Sequence, residues 1–417
     1  MAALLARYTV ALDLGKQAHV AHIYDTATGQ RSKPVRVLVT ALGFAGLDRI
    51  LATYSAHPAD FLVGCEATGH YGETIVRYLH ARGYEVVLLN PRQSKQFRLG
   101  LGHRAKTDSL DAEALARQLA VGVFPALTPV SATRQALRRL THLRADLVTE
   151  QTRWLNRLRG VLDQICPELS CLLPDLTTAT ALALLEQYPS RRALAQAHLP
   201  EMTAVVSQAS RGQKGEAFAQ QIQRTAQQSV GVDDPWLETE LRIVLGHIRA
   251  MRAAITELDR EIACLTQAIL QEISVLLHLP VTMTLDMFPC KGPLMLGTLL
   301  AEIGDVRRFP TGRHVLSYLG WCPYARQSGT KTATHQKMSH AGSRHARHML
   351  WMMAISAVQN VAEYRAYFQV RVAAGKSKMK TLIAVGRKLL GVIYTILKTG
   401  VPYDPQRYLQ HQATRAT

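Results

Sequence analysis

Paired cysteines, long apolar runs and, over one long stretch, acidic side chains are what this sequence of 417 residues lacks. The six cysteines (Cys65, Cys166, Cys171, Cys264, Cys290, Cys322) form no C-x-x-C pair, which argues against a zinc site or a disulfide framework and predicts buried thiols. No run of 18 apolar residues occurs, and the opening MAALLARYTVALDLGK has no signal-cleavage pattern. No membrane span is predicted, and the cytoplasm is the expected compartment. With 47% hydrophobic and 19% charged residues, the chain is too apolar for disorder to dominate.

Acids are scarcest near the end. Between Val306 and Tyr403 stand 16 Lys and Arg against one acid, Glu363, and the whole chain carries a net charge of +18. A block this basic predicts a polyanionic partner, nucleic acid first, because such surfaces track phosphates. No Walker-type or complete G-x-G-x-x-G loop accompanies it; Gly100 and Gly102 are only a fragment.

The hydrophobic pattern divides the chain into three segments. Residues 1–125 alternate strand and helix: strands over Tyr8–Leu14, His19–Tyr24, Val35–Val39, Phe61–Cys65 and Glu85–Leu89, helices over Leu42–Tyr54 and Gly72–Arg82. Asn90-Pro91 reads as a stop. Residues 126–279 carry two long helical periodicities, Ser131–Cys166 and Trp236–Leu277, which predict an antiparallel coiled coil or a bundle. Between them an Ala-, Gln-, Ser- and Thr-rich region, about 167–235, reads as a helical insertion or a partly flexible tip. Residues 280–417 are mostly helical by pattern, over Leu294–Ile303, His314–Leu319, His345–Gln359 and Met379–Leu397.

Four carboxylates of the first segment stand out. Asp13 lies in the first strand, flanked by apolar residues on both sides, Glu66 directly follows FLVGC, and Asp108 and Asp111 open a helix three residues apart. Singly, each reads as a helix cap, a dipole partner or half of an ion pair. Together they form an oxygen-rich set of the kind that holds hard divalent cations such as Mg²⁺ and leaves positions for phosphate oxygens. The preceding basic run, Arg92, Lys95, Arg98, Arg104 and Lys106, is placed on backbone phosphates. Among the histidines, His345 and His348 sit without an acid nearby in sequence and read as part of a basic face. Tyr318, Trp321 and Tyr324, interleaved with Arg313 and Arg326, are balanced between core positions and base stacking.

The segments ALDLGK, CEATGHYGE, LLNPRQSKQF, KTDSLDAEALA, LLAEIGDVRRF, SYLGWCPYARQSG, MSHAGSRHARHMLW and LKTGVPYD, in this order from residue 8 to residue 404, resemble the DEDD-type transposases of bacterial insertion sequences, the bridge-RNA-guided recombinases of the insertion-sequence 110 family. The resemblance implies an α/β RNase H-like (RuvC-like) N-terminal domain, a coiled-coil connection and a mostly α-helical C-terminal transposase domain. It also implies Asp13, Glu66, Asp108 and Asp111 as the metal-binding carboxylates, Mg²⁺ as cofactor, and Ser328 as the catalytic nucleophile. Arg326, Lys331, Lys337, Arg344 and Arg347 are then nucleic-acid contacts. Donor and target DNA, a structured noncoding guide RNA and a homo-oligomer, dimer or tetramer, are the implied partners. Ser339 reads as a helix-start residue rather than the attacker. The chain departs from the family pattern with FPCKGP at 288–293, with Ser339-His340-Ala341-Gly342, and in its long insertion. A metal-dependent junction resolvase or nuclease using activated water, with Ser328 structural, is the alternative; a nucleic-acid-binding scaffold is a third.

Overall fold

Alternating apolar residues at the N-terminus pair as an antiparallel hairpin, β1 (Tyr8–Asp13) with β2 (Ala18–Asp25), and this hairpin begins the only large sheet among the described residues. The computed structural model describes residues 6–66, 71–89, 91–100, 108–122, 131–277, 292–323, 327–328, 331–332, 338–339 and 342–399, with the backbone alone at 91–93, 108–113, 274–277, 327–328 and 331–332. The chain divides into two compact units, residues 1–130 and 131–417.

In the first unit, β3 (Val35–Leu38) joins β2 antiparallel, while β4 (Phe61–Glu66) and β5 (Glu85–Leu89) add parallel strands on the other side of β1. The strand order is β3-β2-β1-β4-β5. β1 is central and has helices on both faces, so Tyr8 to Leu12 are all buried, as expected of a strand covered on both sides. Tyr8, Val10, Leu12, Val63 and Cys65 face one core with Phe44, Leu47 and Leu51 of α1 (Ala41–Ala52) and Ile75 and Leu79 of α2 (Glu73–His80). Ala11, Val87 and Leu89 turn to the opposite face. There they meet Leu115, Ala116 and Leu119 of α4 (Asp108–Ala120), which follows α3 (Pro91–Gly100).

The second unit is helical apart from one two-residue ladder among the described residues. α5 (Ala132–Ile165) and α11 (Pro235–Leu277) run antiparallel: Arg144 pairs with Asp259, Arg157 lies 3.8 Å from Glu240, and the Val232 N–H donates to the Gln164 carbonyl at 2.9 Å. At one end, Leu155 to Cys166 and Leu237 to Ile248 share a core with α6 (Leu169–Leu172), α7 (Ala179–Gln187), α8 (Arg191–Ala195), α9 (Leu199–Ala209) and α10 (Glu216–Gln228). The Ala- and Gln-rich insertion therefore folds as a helical module whose buried interior is completed by the near ends of α5 and α11. Gly231 closes it against the Ile165 carbonyl, where a Cβ would come within 2.0 Å, and Glu168 accepts from the Ser229 hydroxyl at 2.5 Å and the Val230 N–H at 3.1 Å.

At the other end, Leu137 and Leu258 to Ile273 share a second core with α12 (Pro293–Ile303), α13 (Gly312–Tyr318), α14 (Arg344–Asn360), α15 (Ala362–Ala373) and α16 (Lys378–Thr399). No described helix is long and apolar enough to cross a membrane.

Two local expectations are corrected. The thiols are not uniformly buried: Cys65 and Cys166 are, but Cys171 and Cys264, on helix positions that turn away from either core, are exposed, and Cys322 is half-buried. Cys290 lies outside the described residues. The residue that starts α14 is Ser343, whose hydroxyl accepts from the Ala346 N–H at 3.2 Å, and not Ser339, which lies beside the Pro323–Met338 bridge.

Candidate active site

The parallel register of β1 and β4 sets Leu12 beside Cys65, so the next residues, Asp13 and Glu66, end neighbouring strands side by side. Alternation puts them on one face. Ala11 and Gly64 turn toward α4, and Asp13 and Glu66 stand two residues beyond them. Both acids are half-buried. The charge of Glu66 is felt next door: burial, and then this carboxylate, push the Cys65 thiol up to about 12. Two carboxylates at adjacent strand ends raise each other's cost of ionisation unless a cation or donors offset it.

Gly64 explains how closely α4 approaches that face. A Cβ at Gly64 would come within 2.5 Å of the Leu119 side chain, so only glycine admits the helix there, while the Thr9 hydroxyl ties to the Ala116 carbonyl at 3.3 Å. Asp108 and Asp111 lie in the first four residues of this helix. Their side chains are outside the described atoms. Among the described residues no group of three or more His, Cys, Asp or Glu is gathered as a metal site; of the four sequence-predicted carboxylates, the described side chains bring together Asp13 and Glu66. Lys95, exposed, and Arg98, half-buried, lie on α3, with Arg92 on its first turn by backbone alone. Arg104 and Lys106 lie outside the described residues.

In the second unit, Ser328 occupies β6 (Gln327–Ser328), paired antiparallel with β7 (Lys331–Thr332), so that Ser328 is level with Lys331. The backbone positions are described and the side chains are not; Arg326 and Lys337 lie outside the described residues. The ends of this segment are anchored. Pro323 bridges Met338, and the Ser339 N–H donates to the Cys322 carbonyl at 2.8 Å.

Behind the anchor, Gly320 (φ 71°) and Gly342 allow two backbone segments to touch. A Cβ on Gly342 would meet the Leu319 carbonyl carbon at 2.3 Å. Arg347 pins them, donating to the Gly342 carbonyl at 2.8 Å and the Leu319 carbonyl at 3.3 Å. Trp321 is buried, its Nε1–H donates to the Ile383 carbonyl at 3.1 Å, and it packs against Gly386, which settles its place in the core. Arg344 reaches Asp146 at 3.3 Å.

The expectation that His345 has no acid nearby is also corrected. Its ring stacks on His142 at 3.8 Å, and His142 Nε2 lies 2.6 Å from Glu302, an acid buried on α12, with Arg138 at 3.4 Å. Sequence separation hid this: the partners come from α5, α12 and α14. The signal for Glu302 was a lone acid inside the apolar helix LLAEIG. Burial alone would raise the Glu302 carboxyl, but the hydrogen bond from His142, the charges of Arg138 and His142 and a hydrogen bond from Ser343 hold it below its usual value. Burial, with the neighbouring charges of His142 and Arg344, lowers His345.

Two family models match this chain in order. A transposase model of the DEDD IS110 type covers residues 10–167, including Asp13, Glu66, Asp108 and Asp111, and the model of the transposase IS116/IS110/IS902 family covers residues 284–369, including Ser328. Between them they span more than half of the sequence. The chain belongs to the IS110 family of transposases. It is thus a DNA-rearranging enzyme. This IS110-family transposase is 28% identical over 304 residues to the insertion element IS110 uncharacterized 43.6 kDa protein of Streptomyces coelicolor, covering 72% of each chain. It is 24% identical over 343 residues to the insertion element IS116 uncharacterized 44.8 kDa protein of Streptomyces clavuligerus, 82% of this chain and 83% of that one. The pilin gene-inverting protein of Moraxella lacunata is 30% identical over 161 residues, 38% of this chain and 48% of the relative.

Proposed function

We propose that this transposase cuts and rejoins DNA through Ser328, assisted by Mg²⁺ on Asp13, Glu66, Asp108 and Asp111, at sites chosen by a structured guide RNA. The observation that carries the reading is the placement of Asp13 and Glu66 side by side on the sheet face covered by α4, the helix whose first four residues include Asp108 and Asp111. The strand order β3-β2-β1-β4-β5, antiparallel on one side of β1 and parallel on the other, supports an RNase H-like sheet. An all-oxygen donor set fits a hard divalent cation, which when bound supplies charge stabilisation at a scissile phosphate.

In this scheme the Ser328 oxygen forms a new bond to phosphorus as the bridging P–O bond to a deoxyribose breaks. The hydroxyl proton passes to the departing deoxyribose oxygen. One phosphodiester replaces another, so rejoining needs no outside energy. A serine hydroxyl is a weak nucleophile and relies on neighbouring charge; Lys331, level with it on β7, is assigned to the phosphate. Arg92, Lys95, Arg98, Arg104, Lys106, Arg326, Lys337 and Arg344 are assigned to phosphates. Arg347 acts by pinning the loop ends. Active sites completed across copies of the chain in a dimer or tetramer, and work in the cytoplasm, complete the reading.

The deciding experiment is adduct trapping on a nicked DNA substrate. A covalent protein–DNA species in the wild type that disappears in Ser328→Ala supports the serine mechanism. Cleavage that survives Ser328→Ala makes the protein a resolvase or nuclease using activated water. RNA that co-purifies and is required for strand exchange tests the guide.

A further inference from the structure

The cations of α15 and α16 fall into two classes. Four are used within the protein. Arg365 donates to the carbonyls of Val358 and Gln359 at the end of α14; Arg371 donates to the Tyr367 hydroxyl at 2.9 Å; Lys388 lies 4.5 Å over the Tyr367 ring; and Lys398 holds the Phe309 carbonyl at 2.9 Å and the Tyr394 hydroxyl at 2.7 Å. The other four, Lys376, Lys378, Lys380 and Arg387, are exposed, and none has a side-chain hydrogen bond or ion pair among the described residues. They are also neighbours, in the turn between the helices and along the first three turns of α16.

Nothing among the described residues accounts for this arrangement. Lys378 and Lys380 sit in the first turn of α16, where no acid is present and where the helix dipole favours anions over cations. Like charges also stand close together there. Lys380 and Arg387, seven residues apart, share one side of the helix. A local rule broken without an internal compensation points to a partner that supplies it. From Lys378 to Arg387 the helix rises roughly 14 Å, the axial length of about four phosphates on one strand of a duplex.

We propose that Lys376, Lys378, Lys380 and Arg387 form a contact surface for the phosphate backbone of duplex DNA. The proposal rests on the transposase reading above. It adds a surface away from the family motifs, one that binds without reading sequence.

The test is the salt dependence of binding of a random-sequence DNA duplex to the full chain, comparing the wild type with a variant carrying Lys376→Gln, Lys378→Gln, Lys380→Gln and Arg387→Gln. With about 0.9 counterion released per phosphate contact, the slope of log affinity against log salt falls by about 3 to 4, and the affinity ratio between ~50 and ~200 mM salt shrinks roughly a hundredfold. A second variant with the three lysines changed to arginine keeps the wild-type slope. An unchanged slope in the neutral variant, with wild-type binding intact, overturns this proposal alone. A slope that drops for an RNA duplex and not for DNA overturns the choice of partner. Absence of DNA binding by the wild type overturns both this surface and the transposase reading. Because the four side chains are exposed, the circular dichroism and melting of the neutral variant match the wild type; a melted variant would make the lysine-to-arginine chain against single Lys→Gln changes the deciding set.

Discussion

In the helical unit the buried carboxylate of Glu302 meets His142 at 2.6 Å and Arg138 at 3.4 Å. In the sheet unit Asp13 and Glu66 end adjacent parallel strands, acid next to acid. The first arrangement answers a buried charge with donors from other helices, and so binds α5, α12 and α14 together. The second sets two carboxylates beside each other at the ends of parallel strands, where each raises the other's cost of ionisation. The same residue type thus ties helices together in one place and, in the proposed mechanism, serves chemistry in the other.

Substitution separates the two roles. Asp13→Asn or Glu66→Gln is expected to cut strand exchange by about a hundredfold or more while the melting temperature stays close to that of the wild type; a melting temperature that falls along with activity would erase the distinction. Glu302→Ala is expected to do the reverse, costing about 2 kcal/mol through the lost hydrogen bond to His142 and the space left in the core of α12, seen as an earlier denaturant midpoint with residual activity tracking the folded fraction. Gly64→Ala sits between. Its methyl meets the buried Leu119 and displaces α4, at about 1–2 kcal/mol, and because that helix begins with Asp108 the loss of activity is expected to exceed the loss of stability. Equal losses would detach the glycine from the site.

The smallest effect is one of pH. Glu302 and His345 both have folded values below their ordinary ones. A lowered value means that the unfolded chain takes up the proton first, so each group stabilises the fold fully above its ordinary value and less as pH falls through its folded one. His345 therefore contributes loss of stability on acidification below 6.5, and Glu302 below 4.5. Thermal melts of His345→Gln are expected to be flatter than wild type over the upper of these ranges; parallel curves would remove His345 from the network.

Strands and long helices were legible because their patterns are local. β1 to β5 and the two long helices follow alternation and heptad-like spacing to within a few residues. α3 is hidden in the sequence because Asn90-Pro91 has the look of a stop, whereas proline is compatible with the first turn of a helix. α15 was missed although Glu363 in its first turn was a usable signal. The positions of Asp13 and Glu66 at strand ends were readable, but their adjacency depends on a parallel register between segments about fifty residues apart. The Glu302–His142–His345 cluster draws on helices up to two hundred residues apart, and no sequence window contains it.

The clasp between Glu168 and Ser229–Val230 has a consequence for how such chains diversify. Polypeptide leaves α5 and returns to α11 through almost the same point, and Leu137 and Leu162, which serve separate cores, are roughly 38 Å apart along one helix. A change of length in the module beyond that doorway falls on the core it shares with the near ends of α5 and α11, not on the separate core around Leu137.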